Sequence, residues 1–245
     1  SSDLPGSIDR RHSPSLSAVV REGMWRERLC PEAGLDFEAF RRRNLVNHLK
    51  GMPMAVPRRV AIIEAKESHG TAAGHAEIDI AEGQLAVRCR TLHGGLAEGV
   101  RVVELVAGST RALLLPDRGL GIWKVNAAGT ELGWQSPVRG PVHPMHVPLA
   151  EPSGLGWLDG FDELVARCGL VANGAPDFSP EGRLLHGLHG RIANLPARSF
   201  EVVLDADRGT LTAQGVVDET RFLCHSLRMT TTVTMSVERS GIADR

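Results

Sequence analysis

From about residue 83 onward the sequence alternates with period two, and this sets what the chain can fold into. Successive side chains on a strand point to opposite faces, so alternation marks a strand with one buried face. "QLAVRCRTL" sets Leu85, Val87, Cys89 and Thr91 against polar neighbours. "VRVVELV" and "TRALLLP" follow, split by "AGS", which reads as two strands joined by a tight turn. "SFEVVLD" alternates Phe200, Val202 and Leu204, and "GTLTAQGVVDE" reads as a further strand kinked at Gly215. The longest run, "RFLCHSLRMTTTVTMSVER", puts Leu223, His225, Leu227, Met229, Thr231, Val233, Met235 and Val237 on one face. It predicts a long half-buried strand or a bent pair. One helix is predicted here, in "LGWLDGFDELVARCG", where Trp157, Phe161, Leu164, Val165 and Cys168 fall at helical spacing and Gly169 is the stop. Short strands with Gly-rich turns and few helices predict a mainly β fold, a sandwich or a barrel.

Residues 1–75 read differently. "SSDLPGSIDRRHSPSLS" is polar and aperiodic, "LDFEAFRRRNLVNHLK" fits a short amphipathic helix, "GMPMAVPRR" breaks it with prolines, and "GTAAGHA" reads as a linker. The predicted organisation is therefore an extension over 1–75, partly disordered with a short helix, and a β domain over 76–245. An apolar share of 42% in 245 residues supports a sizeable core. A formal net charge of −1, with one short basic run at Arg41–Arg43, argues against nucleic-acid and membrane-surface partners. Cys30, Cys89, Cys168 and Cys224 form no CxxC and are expected as buried thiols. No signal-like segment and no run of 18 apolar residues is present in the sequence, so the expected setting is soluble and cytoplasmic.

Three segments could carry chemistry. In "LLLPDRGLGIWKV", Asp117 and Arg118 offer acceptors and donors that suit sugar hydroxyls, or form a turn with an ion pair. In "GPVHPMHVPL", His143 and His146 stand three apart around a proline. In "LLHGLHGRIANLPA", His186 and His189 repeat that spacing, with Arg191 behind them. Four imidazoles could hold a transition metal, but neither pair lies on a predicted helix and HExxH is absent, so no metal is expected. The last segment otherwise suits proton chemistry near pH 7, with Arg191 near a developing oxyanion, or is a glycine-rich bend. His225, alone on an apolar strand face, reads as a hydrogen-bonded core histidine. Trp123, Trp134 and Trp157 are the candidate platforms for a sugar ring. There is no GxSxG elbow and no phosphate-binding GxxxxGK[ST] loop.

In order, "GGLAEGV", "LLLPDRGLGIWKV…LGWQSP", "HP…GWLDGFDELVARCGL" and "LHGLHGRIANLPA" resemble the uncharacterised aldose 1-epimerase-like proteins of the galactose mutarotase-like superfamily. The resemblance covers about residues 84–245. It implies a β-supersandwich with a carbohydrate cleft, a small-molecule sugar as partner, and acid–base exchange of anomers without a cofactor. It assigns His189 the family's first cleft histidine, the candidate catalytic group. Asp117, Arg118, His143, His186 and Arg191 are the candidate sugar-binding residues around it. The chain stops at "SVERSGIADR", where the resemblance implies further strands and a late Glu-Pro segment bearing the general base. It is thus expected to be a supersandwich cut short at its C-terminus, able to self-associate through unpaired strand edges. The readings that follow are an aldose 1-epimerase-like isomerase, a non-catalytic sugar-binding or regulatory module, and an inactive truncated homologue.

Overall fold

The alternating segments form antiparallel ladders, each burying one face. The computed structural model describes residues 56–65, 72–74, 77–133 and 135–237. Its strands are β1 (Arg58–Ala65), β2 (Ala72–Gly74), β3 (Ile78–Glu82), β4 (Leu85–Thr91), β5 (Arg101–Ala107), β6 (Thr110–Leu115), β7 (Gly121–Ala127) and β8 (Thr130–Leu132). After a long irregular stretch come β9 (Asp177–Phe178), β10 (Leu184–His186), β11 (Ser199–Asp205), β12 (Thr210–Arg221) and β13 (His225–Ser236). Strands β3 to β8 make a six-stranded meander in chain order. The second sheet has the order β13-β12-β11-β1-β2, and β9 and β10 form a small ribbon. Among the described residues the helices are short 3-10 turns, and no helix is long and apolar enough to cross a membrane.

The two large sheets share one core. Leu85, Val87, Val103 and Leu105 from the meander pack in a single cluster with Val202, Leu204, Leu211 and Val233 from the second sheet. The fold is thus a mainly β sandwich of antiparallel sheets, and the alternation that predicted it is the pattern that fills its core.

Several local expectations change. The run predicted as a long half-buried strand or a bent pair forms its strand only from His225 onward: β12 ends at Arg221, and Phe222 and Leu223 sit at the hairpin tip, 89% and 90% exposed. The β12 ladder passes Gly215 without a register shift on either side, so no kink arises there. A Cβ at Gly215 would lie 2.8 Å from the Ser199 carbonyl oxygen, so crowding is what demands glycine. Strand β1 lies within the stretch 1–75 that reads as an extension, and it pairs with β11 while burying Val60, Ile62 and Ile63. Its apolar run is continuous rather than alternating, and proline-rich neighbours mask it in the sequence. The "GTAAGHA" segment predicted as a linker contributes β2. The predicted short helix over 35–50, Cys30 and Trp134 lie outside the described residues.

The helix predicted over residues 155–169 is not formed. Gly156–Gly160 makes one 3-10 turn, and the chain beyond it binds other segments instead of itself. The Leu164 amide donates to Ile122 at 2.9 Å, Trp123 Nε1 donates to Asp162 Oδ2 at 2.8 Å, and Glu163 Oε1 accepts from Arg118 Nε at 2.6 Å. Long-range bonds here outweigh local helical spacing.

The thiols also divide. Cys89 is buried in β4, Cys168 is half-buried, and Cys224 is exposed at the hairpin tip, against the expectation that all are buried. Burial pushes the Cys89 thiol up, with nearby Asp117 adding to the effect and Arg101 opposing it. In the folded protein, Cys224 is expected to react with a thiol reagent at pH 8 and Cys89 only after denaturant is added. Mass mapping of labelled peptides with and without urea checks this.

Candidate functional site

The glycine-rich segment around the paired histidines is a strap held by backbone bonds. Its first residues, in β10, pair with β9, bringing His186 opposite Asp177. The Leu188 amide then donates to Gly154 at 2.8 Å, and the His189 amide to Gly174 at 2.9 Å. The Gly169 carbonyl accepts from both Arg191 and Ile192, at 3.1 and 3.0 Å, and the Gly169 amide donates to His189 at 2.9 Å. Gly190 has a φ of 71°, and a Cβ there would fall 2.5 Å from the Ala172 oxygen and 2.6 Å from the Gly169 oxygen. Gly190→Ala is therefore expected to destabilise the protein by about 1–3 kcal/mol, read as a lower urea midpoint.

The strap forms one wall of a cavity of about 750 Å³. His186, Gly187, Gly190 and Arg191 line it from the strap, with Arg183 just before β10. Leu149, Ala150, Val171 and Ala172 give it an apolar side. The mouth of the β12–β13 hairpin supplies Glu219, Arg221 and His225, the last two paired across the ladder. Glu219 is 2% exposed, and its Oε2 accepts from the Leu170 amide at 2.7 Å, tying the loop before the strap to β12. His225 is half-buried, and its Nε2 has no hydrogen-bond partner among the described residues, which departs from a satisfied core histidine.

His189 sits beside this cavity and is not among its lining residues. Its φ is 56°, a left-handed conformation that L residues other than glycine rarely adopt. Its ring meets Trp157 edge-on at 4.8 Å, and Trp157 stacks on Phe161 at 4.6 Å. Nδ1 of His189 is buried with no partner among the described residues. A strained backbone carrying an unsatisfied titratable atom is a feature that clusters at functional sites.

The structure groups His186 and Arg191, while Asp117, Arg118 and His143 stand apart from the cavity. Asp117 accepts from the Arg101 amide at 2.7 Å and takes the Arg101 guanidinium on both oxygens. Burial works against the charge on Arg101, and the hydrogen bonds and charge of Asp117 outweigh it, leaving the guanidinium above its usual range. Arg118 is 2% exposed and binds Glu163, the carbonyls of Val142 and Gly160, and Asn194 Oδ1. Asp117 thus ties its turn to the start of β5, and Arg118 ties it to the segments carrying Val142, Gly160, Glu163 and Asn194. His143 caps the Pro144–His146 turn, its Nδ1 accepting from the Met145 amide at 3.2 Å, with the His146 ring 6.4 Å away. Among the described residues, no three His, Cys, Asp or Glu side chains converge as a metal site would need.

The residues the sequence reading missed are Arg183, Glu219 and Arg221; it singled out His225 but not as part of a site. Glu219 carried a legible signal: it continues the inward face of Leu211, Ala213 and Val217, where a carboxylate is out of place unless it is used. The lining residues include no tryptophan. Trp123 holds Asp162 and Trp157 backs His189.

A family model described as "Domain of unknown function (DUF4432)" matches residues 97–244. No curated protein matches the chain. A crystal structure of a "putative aldose 1-epimerase" from Klebsiella pneumoniae subsp. pneumoniae MGH 78578 is similar, with a TM-score of 0.67 and 27% sequence identity. The match covers 74% of this chain and 48% of that one, so this chain spans about half the length of the structure it resembles. The mainly β architecture is thus an aldose 1-epimerase-like fold.

Proposed function

The chain belongs to the DUF4432 family of domains of unknown function, and on that premise we propose that its cavity binds a sugar and exchanges the anomers by acid–base chemistry. The observation that carries the reading is the convergence on one cavity of two imidazoles, three guanidiniums and a buried carboxylate, beside a strained histidine. Polar groups aimed into a partly apolar pocket suit a ring with hydroxyls around it. The similarity to the Klebsiella structure supports the reading at the level of fold.

In the proposed mechanism an imidazolium, assigned to His189, gives its proton to the ring oxygen as a carboxylate takes the proton of the anomeric hydroxyl. The bond from C1 to the ring oxygen breaks, leaving an open-chain aldehyde. Rotation about the bond next to C1 and the reverse transfers close the ring as the other anomer. Glu219 is the candidate carboxylate, with Oε2 fixed by Leu170 and the residue in the cavity wall. Sugar contacts fall to His186 and Arg191. The roles of Asp117, Arg118 and His143 become supporting ones: they hold the loops that shape the cavity.

A second reading, a sugar-binding module without catalysis, is favoured by one observation: His189 packs on Trp157 and does not line the cavity. Magnetisation-transfer NMR on a panel of aldoses separates the two. Anomer exchange faster than in buffer, saturable in sugar, supports the epimerase reading. Saturable binding at the buffer rate supports the binding module, and no binding to any sugar removes both.

A further inference from the structure

We infer that the cavity is built for a sugar that carries an anionic substituent, a carboxylate, phosphate or sulfonate. This deepens the sugar reading above and rests on it. Arginines elsewhere in the described chain are mostly matched by acids: Arg88 lies between Asp79 and Glu104, and Arg198 and Arg228 share Asp218. At the cavity the pattern reverses. The side chains of Arg183, Arg191 and Arg221 make no ion pair with a described residue, and all three are exposed where the cavity opens.

Three guanidiniums face one carboxylate, Glu219, an excess of two positive charges before either imidazole takes up a proton. That carboxylate is buried and engaged by the Leu170 amide, so it is poorly placed to neutralise the rim. Gathering like charges around one opening raises the energy of the empty protein, and an anion entering there relieves it. Guanidinium forks match carboxylate and phosphate oxygens in paired hydrogen bonds, whereas hydroxyls alone are served as well by neutral amides. They come from two stretches of chain, Arg183 and Arg191 from either end of the strap and Arg221 from the turn end of the β12–β13 hairpin. The fold therefore assembles the charge, and no single basic segment creates it.

Calorimetric titration of the full chain tests this with matched sets: glucose and galactose, their uronates, their 6-phosphates, and inorganic phosphate. One charged class is expected to bind at least about tenfold tighter than its neutral parent and than inorganic phosphate. The margin should shrink with added salt and disappear in Arg191→Gln and Arg221→Gln, while Arg90→Gln, at an exposed position outside the cavity, keeps it. Neutral hexoses binding as tightly as their charged forms would overturn the inference and leave the sugar reading standing. Inorganic phosphate binding as tightly as any charged sugar, with no neutral hexose bound, would overturn both. A charged-sugar preference unchanged in both variants would also overturn the inference, since the anion would then be held elsewhere.

Discussion

Arg118→Ala is expected to lower the unfolding free energy by about 3–5 kcal/mol, the usual penalty for leaving one partner of a buried ion pair uncompensated. The side chain is 1% exposed and Glu163 is 5% exposed, so water cannot replace the lost bond. Alanine also orphans the Val142 and Gly160 carbonyls and Asn194 Oδ1. Domains are stable by about 5–15 kcal/mol, so this one change removes a large share of the total. Urea unfolding followed by tryptophan fluorescence checks it. The paired change Arg118→Met with Glu163→Leu should cost less than Arg118→Ala alone, because it removes the charges together. A single variant as stable as the parent would show that the network contributes nothing to holding the loops.

The second large effect concerns activity. His189→Gln is expected to slow anomer exchange by about 10²–10⁴, the range that one general acid supplies. Sugar affinity should stay within a few-fold of the parent, because His186, Arg191 and the other lining residues are untouched. Glutamine keeps a polar side chain of similar reach but cannot deliver a proton near pH 7. Anomer exchange by NMR, with binding by calorimetry on the same samples, separates the two quantities. Unchanged exchange would remove His189 from the mechanism. Loss of binding together with exchange would make it a residue that shapes the site.

These two expectations show how unevenly the sequence reveals its structure. Leu85, Val87 and Cys89 announce a strand because one face of β4 is buried and the other is solvated. Val60, Ile62 and Ile63 do not, because a continuous apolar run carries no period. Phe222 and Leu223 mimic core residues by type but sit at a hairpin tip that lacks the usual turn residues. The spacing of Trp157, Phe161 and Leu164 suggests a helix, yet the backbone there is claimed by partners far away in sequence. The site follows the same logic. His186 and Arg191 share one short string, so they were legible together. Glu219, Arg221 and His225 reach the cavity only through the register of β12 with β13. Asp117 and Arg118 were legible as a charged pair, but their partners, Arg101 and Glu163, are a matter of tertiary packing.

The place of β1 in its sheet bears on how the protein is made. Its neighbour β11 lies far along the chain: Arg59 and Glu201, bonded side chain to side chain, are 142 residues apart. The meander β3 to β8 and the hairpin β12–β13 can close between sequence neighbours, and such local pairings form quickly. Apart from its short ladder with β2 at Ile63–Ala65, strand β1 must wait for β11 to be translated. At 5–20 residues per second the delay is roughly 7–30 s. Through that interval Val60, Ile62 and Ile63 lack β11 beside them, and that edge is open to capture by a chaperone or by another nascent chain.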